Sequence, residues 1–129
     1  MKTTATTIIA LLLAIAVQGQ TLEQVRAEIR RRHLPHPDIV LAQARLETGN
    51  FKSRRCKADK NLFGLKHRGR YAVYGDWRQS VADYERSISS RYPGGDYYRF
   101  LRGIGYAKDP AYCIKLRHIV NTTPKTTRK

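Results

Sequence analysis

Apolar and polar residues alternate with helical spacing in the segment that follows residue 20. From Leu22 to His33 the apolar side chains stand three and four residues apart, at Leu22, Val25 and Ile29. This spacing places them along one face of a helix whose polar face is rich in arginine. Thr21 can accept hydrogen bonds from the first free backbone N–H groups, so we predict that it caps this helix.

Two prolines separate this helix from the next one. Pro35 and Pro37 disfavour helix in the residues that precede them, whereas Pro37 itself suits the first position of a helix. A second helix is therefore predicted over residues 37–48, and Gly49 can end it in a left-handed conformation.

The pattern changes over residues 61–76, where aromatic and β-branched residues alternate with glycines. It predicts two short strands joined by a basic turn around residues 68–70, which must pack on the helices because a lone hairpin is not stable. Helical spacing returns in segments predicted at residues 77–91, 96–101 and 109–120, and a basic tail is predicted over residues 122–129. The fold class that follows is mainly α (α+β), with one small β element.

The N-terminal segment has the layout of a secretory signal peptide. Lys2 precedes an apolar run from Ile8 to Val17, and small residues stand at plausible cleavage positions. The run is short for a membrane span, so we expect cleavage and no stable membrane insertion afterwards rather than a retained anchor. The prediction divides the chain into a signal peptide over residues 1–19, one domain over residues 20–121 and the tail, in a secreted or periplasmic protein.

The charge and the cysteines change this picture little. The chain holds 25 lysines and arginines against 10 acidic residues, a net charge of +15. This charge favours an anionic partner, which can be nucleic acid, a lipid surface or an acidic polymer of the cell envelope. The export signal argues against nucleic acid.

Cys56 and Cys113 are expected to form a disulfide outside the cell, the alternative being two buried free thiols. No cluster of cysteine, histidine and acidic residues predicts a metal site, and no cofactor is expected.

One carboxylate on the second predicted helix stands out. Glu47 follows Ala44 and Val40 by three and seven residues, so it lies on their side of the helix, at the edge of the predicted buried surface. Burial raises the pKa of a carboxyl, and the negative end of the helix dipole acts in the same direction. A raised pKa suits a general acid, although the position also suits a glutamate that pairs with an arginine.

Four blocks of sequence resemble the glucosaminidase family of peptidoglycan hydrolases, which includes the flagellar peptidoglycan hydrolase and many autolysins. They stand in the family's order and are AQARLETGNF (42–51), NLFGLK (61–66), YGDWRQSVADY (74–84) and GYAKDPAYCIKL (105–116). The resemblance implies a lysozyme-like helical domain with a small β-hairpin lobe. It also implies hydrolysis of the β-1,4 bond after N-acetylglucosamine in the glycan strands of peptidoglycan.

The resemblance also implies roles for individual residues. Glu47 matches the glutamate of the family's ETG motif and would protonate the leaving oxygen, and Tyr106 would line the cleft near the reacting sugar. Larger members carry a second acid on the hairpin, which here is short and basic. Asp76 is the best substitute, although it also suits a turn or a helix cap. The flat aromatic side chains that could stack on sugar rings include Tyr71, Tyr74 and Trp77.

Two other functions stay open at this point. A lytic transglycosylase also works with a single glutamate in a lysozyme-like fold. A degenerate relative could bind peptidoglycan without cutting it, because the hairpin lacks an acid. In each case we expect a monomer that acts on glycan strands.

Overall fold

The computed structural model describes residues 20–126, so the predicted signal peptide lies outside the described residues. The structure is mainly helical with one two-stranded antiparallel sheet, which confirms the predicted fold class. The helices are α1 (Leu22–Arg31), α2 (Pro37–Thr48), α3 (Arg54–Asp59), α4 (Trp77–Ser87), α5 (Tyr97–Gly103) and α6 (Tyr112–Thr122). Strands β1 (Lys66–His67) and β2 (Arg70–Tyr71) precede α4, and a 3-10 helix (Ser89–Arg91) follows it. Within residues 20–126 no helix has the length and apolar character needed to cross a membrane.

The predicted caps explain where α1 and α2 begin and end. The Thr21 side chain accepts a hydrogen bond from the backbone of Gln24, whose side chain accepts one from the backbone of Thr21. Helix α2 has the predicted bounds, with Pro37 at its start and Gly49 in the left-handed conformation at φ 55°. These local signals were sufficient because each acts within one turn of the helix end.

Three segments differ from the prediction. Helix α3 was not predicted; it is a six-residue helix capped by Ser53 and has only one fully buried side chain, that of Cys56. Helix α4 ends at Ser87, and the chain continues as the 3-10 turn. Helix α6 starts at Tyr112 instead of residue 109, because the Asp109 carboxylate accepts the Ala111 N–H in a turn before the helix.

The predicted C-terminal tail is ordered as far as the structure describes it. Helix α6 continues through Thr122. The side chain of Arg45 then donates to the Thr123 hydroxyl, and that of Arg26 donates to the Pro124 carbonyl oxygen. The chain up to residue 126 therefore lies against α1 and α2.

Helix α2 lies at the centre of the core. It packs against α6 on one side and α1 on the other, and its residues 39–44 are all buried. The largest fully buried apolar side chains around it are Ile29, Leu62, Phe63, Tyr84, Tyr97, Leu101 and Leu116. A central helix is a rigid support for a side chain that must keep a fixed position at its end.

The hairpin is fastened to α4 by a buried carboxylate. His67 and Tyr74 donate to Oδ2 of Asp83 at 2.6 and 2.5 Å, and the Ser87 hydroxyl donates to Oδ1 at 2.7 Å. Burial disfavours the ionised form of Asp83, but these hydrogen bonds outweigh it and lower its pKa to about 2. The short strands thus keep their place through side-chain contacts, since two residue pairs alone would not.

The predicted disulfide is not formed. Cys56 and Cys113 are buried free thiols. The Cys56 sulfur accepts a hydrogen bond from the Gln20 amide at 3.1 Å, and the Cys113 thiol donates to the Tyr98 carbonyl oxygen at 3.7 Å. The two sulfurs thus contact different partners, Gln20 and Tyr98.

Candidate active site

A groove of about 530 Å³ runs between the end of α2, the hairpin and the loop that precedes α6. Its lining consists of Glu47, Phe63, Gly64, Leu65, Lys66, Tyr71, Ile88, Arg91, Ile104, Gly105, Tyr106, Ala107 and Lys108. Among the residues that the structure describes, Glu47 is the one carboxylate in this lining. A single acid therefore faces three cationic side chains across the groove.

Glu47 sits where the sequence predicted it, at the edge of the core. Val40 and Ala44 on the same side of α2 are fully buried, whereas Glu47 is half-buried. Burial raises the pKa of Glu47, and a hydrogen bond from the Tyr112 hydroxyl to Oε1 at 3.2 Å acts in the opposite direction. Burial outweighs the hydrogen bond, so the carboxyl holds its proton at higher pH than an exposed glutamate does.

Gly64 lies directly against this carboxyl. Its φ is +62°, and a Cβ atom at this position would lie 3.0 Å from Oε2 of Glu47. Glycine is the residue that adopts this backbone conformation without steric cost, and it leaves room for the carboxylate. The two oxygens of Glu47 therefore have different surroundings, Tyr112 at Oε1 and the backbone of Gly64 at Oε2.

Tyr106 joins the two walls of the groove. Its hydroxyl donates to the Phe63 carbonyl oxygen at 2.9 Å, and its ring lies 5.7 Å from that of Tyr112. Burial raises the pKa of Tyr106 far above its ordinary value, so this hydroxyl stays protonated. Tyr106 thus lines the same groove as Glu47, and its contact with a sugar stays a prediction.

Tyr71 belongs to the groove lining. The other predicted site residues, Asp76, Tyr74 and Trp77, lie outside this lining. The Tyr71 ring is covered by the Arg55 guanidinium at 3.3 Å and lies 4.6 Å from the Lys66 ammonium group. A sugar that stacks on Tyr71 must therefore share the ring with Arg55 or use its other face.

Asp76, Tyr74 and Trp77 serve other contacts. Asp76 forms a capping box at the start of α4, where its carboxylate accepts the Arg78 N–H. Tyr74 donates its hydroxyl to Asp83, and Trp77 is only 9% exposed. Their use as a second acid and as sugar-stacking residues stays a prediction that this geometry does not favour.

Comparison of the sequence with known protein families gives a match. A family model described as "Glucosaminidase: Mannosyl-glycoprotein endo-beta-N-acetylglucosaminidase" matches residues 22–125. The chain belongs to the glucosaminidase family. Membership supports the predicted class, a peptidoglycan hydrolase of the glycosidase type. Searches of curated proteins and of solved structures found no match.

Three features of this site were missed in the sequence. Tyr112 bonds to Glu47 across 65 positions, Gly64 lies against the same carboxyl, and Lys108 lines the groove. All three stand in or beside blocks that resemble the family, so the blocks were a signal for the region. No periodicity could assign the contacts, because each depends on how distant segments pack.

A second groove, of about 560 Å³, lies between α1, α2 and the C-terminal segment up to Thr126. Its lining includes the carboxylate of Asp38, which is exposed in the first turn of α2. It has no half-buried acid, so the chemistry is expected at Glu47. Within residues 20–126 no three histidine, cysteine or acidic side chains come together in a way that could hold a metal ion.

Proposed function

We propose that this protein is an exported peptidoglycan hydrolase that cleaves the β-1,4 bond after N-acetylglucosamine, with Glu47 as its general acid. The observation that supports this most strongly is a half-buried carboxyl with a raised pKa at the wall of an open groove. A general acid works best when its pKa lies near the working pH. The family match supplies the class of bond.

The proposed reaction starts with the proton on Glu47. Glu47 gives it to the glycosidic oxygen while the bond from that oxygen to the anomeric carbon breaks, and positive charge develops on the sugar ring. No second carboxylate of the described chain lines the groove. If a water molecule attacks the anomeric carbon, it gives its proton to the Glu47 carboxylate. If the N-acetyl oxygen of the substrate attacks instead, an oxazolinium ring forms; a water molecule then attacks the same carbon, opens the ring and gives its proton to Glu47.

The charge of the groove suits a polymer that carries carboxylates. Lys66, Arg91 and Lys108 line it, and Arg55 stacks on Tyr71 at its edge. Peptidoglycan strands carry carboxylates on their peptide stems, and cations along a cleft attract such a polymer and raise its local concentration. A neutral glycan strand would not be attracted by these cations in this way.

Glu47→Gln tests the proposal because it keeps the shape of the side chain and removes the proton. We expect turnover of purified peptidoglycan to fall by about 10²-fold to 10⁴-fold, the contribution of a general acid. Glu85→Gln is the matched control, since Glu85 is a helical glutamate that pairs with Arg32 at 3.2 Å outside the groove. Turnover at the wild-type rate in folded Glu47→Gln would refute the assignment.

A lytic transglycosylase is the second candidate, favoured by the single carboxylate in the groove. The two reactions leave different ends on the products. Mass spectrometry of fragments from defined strands would show a reducing N-acetylglucosamine end for the hydrolase and a 1,6-anhydro end for the transglycosylase. Tight binding of the strands without any fragment would identify a binding protein instead.

A further inference from the structure

A chain of buried hydrogen bonds leads away from Glu47 into the core. Tyr112 donates to Oε1 of Glu47 at 3.2 Å, and the Gln43 amide donates to the Tyr112 hydroxyl at 3.4 Å. Tyr84 donates to the Gln43 carbonyl oxygen at 2.5 Å, and the Tyr84 and Tyr97 hydroxyls lie 2.6 Å apart. The four supporting side chains are 0–7% exposed. Buried polar groups in such a network hold one arrangement because a lost partner is costly.

The chemistry of the groups gives this chain one direction. An ionised carboxylate only accepts, so Tyr112 donates to Glu47 and its oxygen is free to accept from the Gln43 N–H groups. The carbonyl of Gln43 then faces Tyr84, which donates to it. Tyr84 has no second proton to give, so Tyr97 donates to Tyr84. Every donor therefore points towards Glu47.

We propose that Gln43 is a positioning residue that keeps the Tyr112 hydroxyl donating to Oε1 of Glu47, so that the transferable proton resides on Oε2. An amide N–H cannot accept, so Gln43 prevents Tyr112 from turning its proton inward. When Glu47 is protonated, the oxygen that accepts from Tyr112 is the carbonyl oxygen. The acidic proton is then on Oε2, the oxygen that lies beside Gly64 in the groove lining.

This inference rests on the proposed role of Glu47 as the general acid. Other charged or titratable groups face the same groove as Glu47. They are the cations Lys66, Arg91 and Lys108 and the phenols Tyr71 and Tyr106. None of them accounts for the difference between the two oxygens, because the hydrogen bond to Oε1 comes from Tyr112.

Tyr112→Phe and Gln43→Met test the two links nearest to Glu47. Tyr112→Phe removes a donor to the ionised form, so the alkaline limb of the kcat/KM profile should move up by about one pH unit. Gln43→Met has a similar volume but frees the Tyr112 hydroxyl. It should lower kcat about fivefold to tenfold, with KM little changed because Gln43 does not line the groove.

Gln43→Glu distinguishes positioning from simple packing. A buried carboxyl stays neutral over a wider pH range, and its O–H can donate to Tyr112 while its other oxygen accepts from Tyr84. This variant should therefore keep more of kcat than Gln43→Met at low pH and lose it as the pH rises. A packing role would give the same fractional activity at every pH.

Tyr98→Phe is the matched control, because it removes the hydroxyl of another tyrosine that is partly buried. The Tyr98 ring lies under the Arg117 guanidinium at 4.3 Å, and among the described residues its hydroxyl forms no hydrogen bond with Tyr112, Gln43, Tyr84 or Tyr97. Its profile should match that of the wild type. An alkaline limb that stays in place in Tyr112→Phe, or full kcat in Gln43→Met, would overturn the inference.

A ¹³C NMR titration of the Glu47 carboxyl separates this inference from the proposed function, because it needs no turnover. The carboxyl pKa should rise in Tyr112→Phe and stay unchanged in Tyr98→Phe. If the pKa changes in this way but the wild type cuts no glycan, the proposed function fails and the hydrogen-bond arrangement stands. If the wild type cuts peptidoglycan and the pKa does not move, the inference fails alone.

Discussion

Gly64→Ala perturbs the position of the Glu47 carboxyl, the proposed general acid, without changing any polar group. Gly64 has φ +62°, and the new Cβ would lie 3.0 Å from Oε2 of Glu47. This separation is shorter than normal contact between carbon and oxygen, so the carboxyl must shift. The proton that we assign to Oε2 would move with it.

The structure gives the expected size of both effects. A left-handed conformation costs a residue with a Cβ roughly 1–2 kcal/mol, which lowers the melting temperature by about 4–8 °C per kcal/mol in a domain of this size. The carboxyl must give way by a few tenths of an ångström, a fraction of the ~1 Å displacement that can cost ~10²-fold in rate. We therefore expect a folded protein whose kcat falls about threefold to tenfold.

Gly69→Ala is the matched control for this experiment. Gly69 also has a positive φ, +76°, but a Cβ there meets nothing within 4 Å. Both variants should lose similar stability in thermal unfolding, while peptidoglycan turnover at 20 °C should fall only in Gly64→Ala. Equal turnover in the two variants would refute the argument that Gly64 makes room for Glu47.

Three other predictions test roles outside the groove. Asp76→Ala should lose about 1 kcal/mol of stability in urea unfolding and Asp76→Asn almost none, because asparagine also caps helices; loss of turnover in Asp76→Asn would instead make Asp76 the second acid. The lowered pKa of Asp83, about 2 against an ordinary 3.8, stabilises the fold by roughly 2 kcal/mol above pH 4. This contribution is lost as the pH falls through about 2, so the stability gap between wild type and Asp83→Asn should shrink over that range. Finally, both free thiols should react with an alkylating agent in denaturant without reductant. A chain that stays unlabelled would show that the two cysteines form the disulfide.

The sequence predicted the features that depend on local order. Helical spacing placed Glu47 at the edge of the core, and the signals at Pro37 and Gly49 gave the bounds of α2. The left-handed turn at Arg68 and Gly69 confirmed the predicted hairpin. In each case the physical cause acts within one turn or between adjacent strands, so a single segment contains all the information.

Features that depend on tertiary contacts could not be predicted from the sequence. The 15-residue helix predicted from residue 77 ends early, and Asp83 on α4 is committed to His67 on the hairpin. Cysteine count and compartment suggested a bridge, but the two sulfurs contact Gln20 and Tyr98 instead. The number of cysteines says nothing about whether their Cβ atoms come within bonding distance.

The basic character of the hairpin affects which group can act as the nucleophile. It gives the groove Lys66 and Tyr71, and the described lining holds no acid besides Glu47. A two-carboxylate mechanism needs a second acid close to the scissile bond, within ~10 Å of the first. Asp76 is engaged in capping α4. Of the two nucleophiles that the proposal allows, we predict that the N-acetyl oxygen of the substrate attacks the anomeric carbon as Glu47 gives up its proton.

Removing that acetyl group tests this step directly. Strands whose glucosamine has been de-N-acetylated should be cut with a kcat lower by ~10²-fold or more, the size of a lost intramolecular nucleophile. The free amine also carries a positive charge in a cationic groove, so KM should rise separately, and chemical re-acetylation should restore both constants. If kcat is unchanged on the de-N-acetylated strand, water attacks without help from the substrate, and a protein group must activate it.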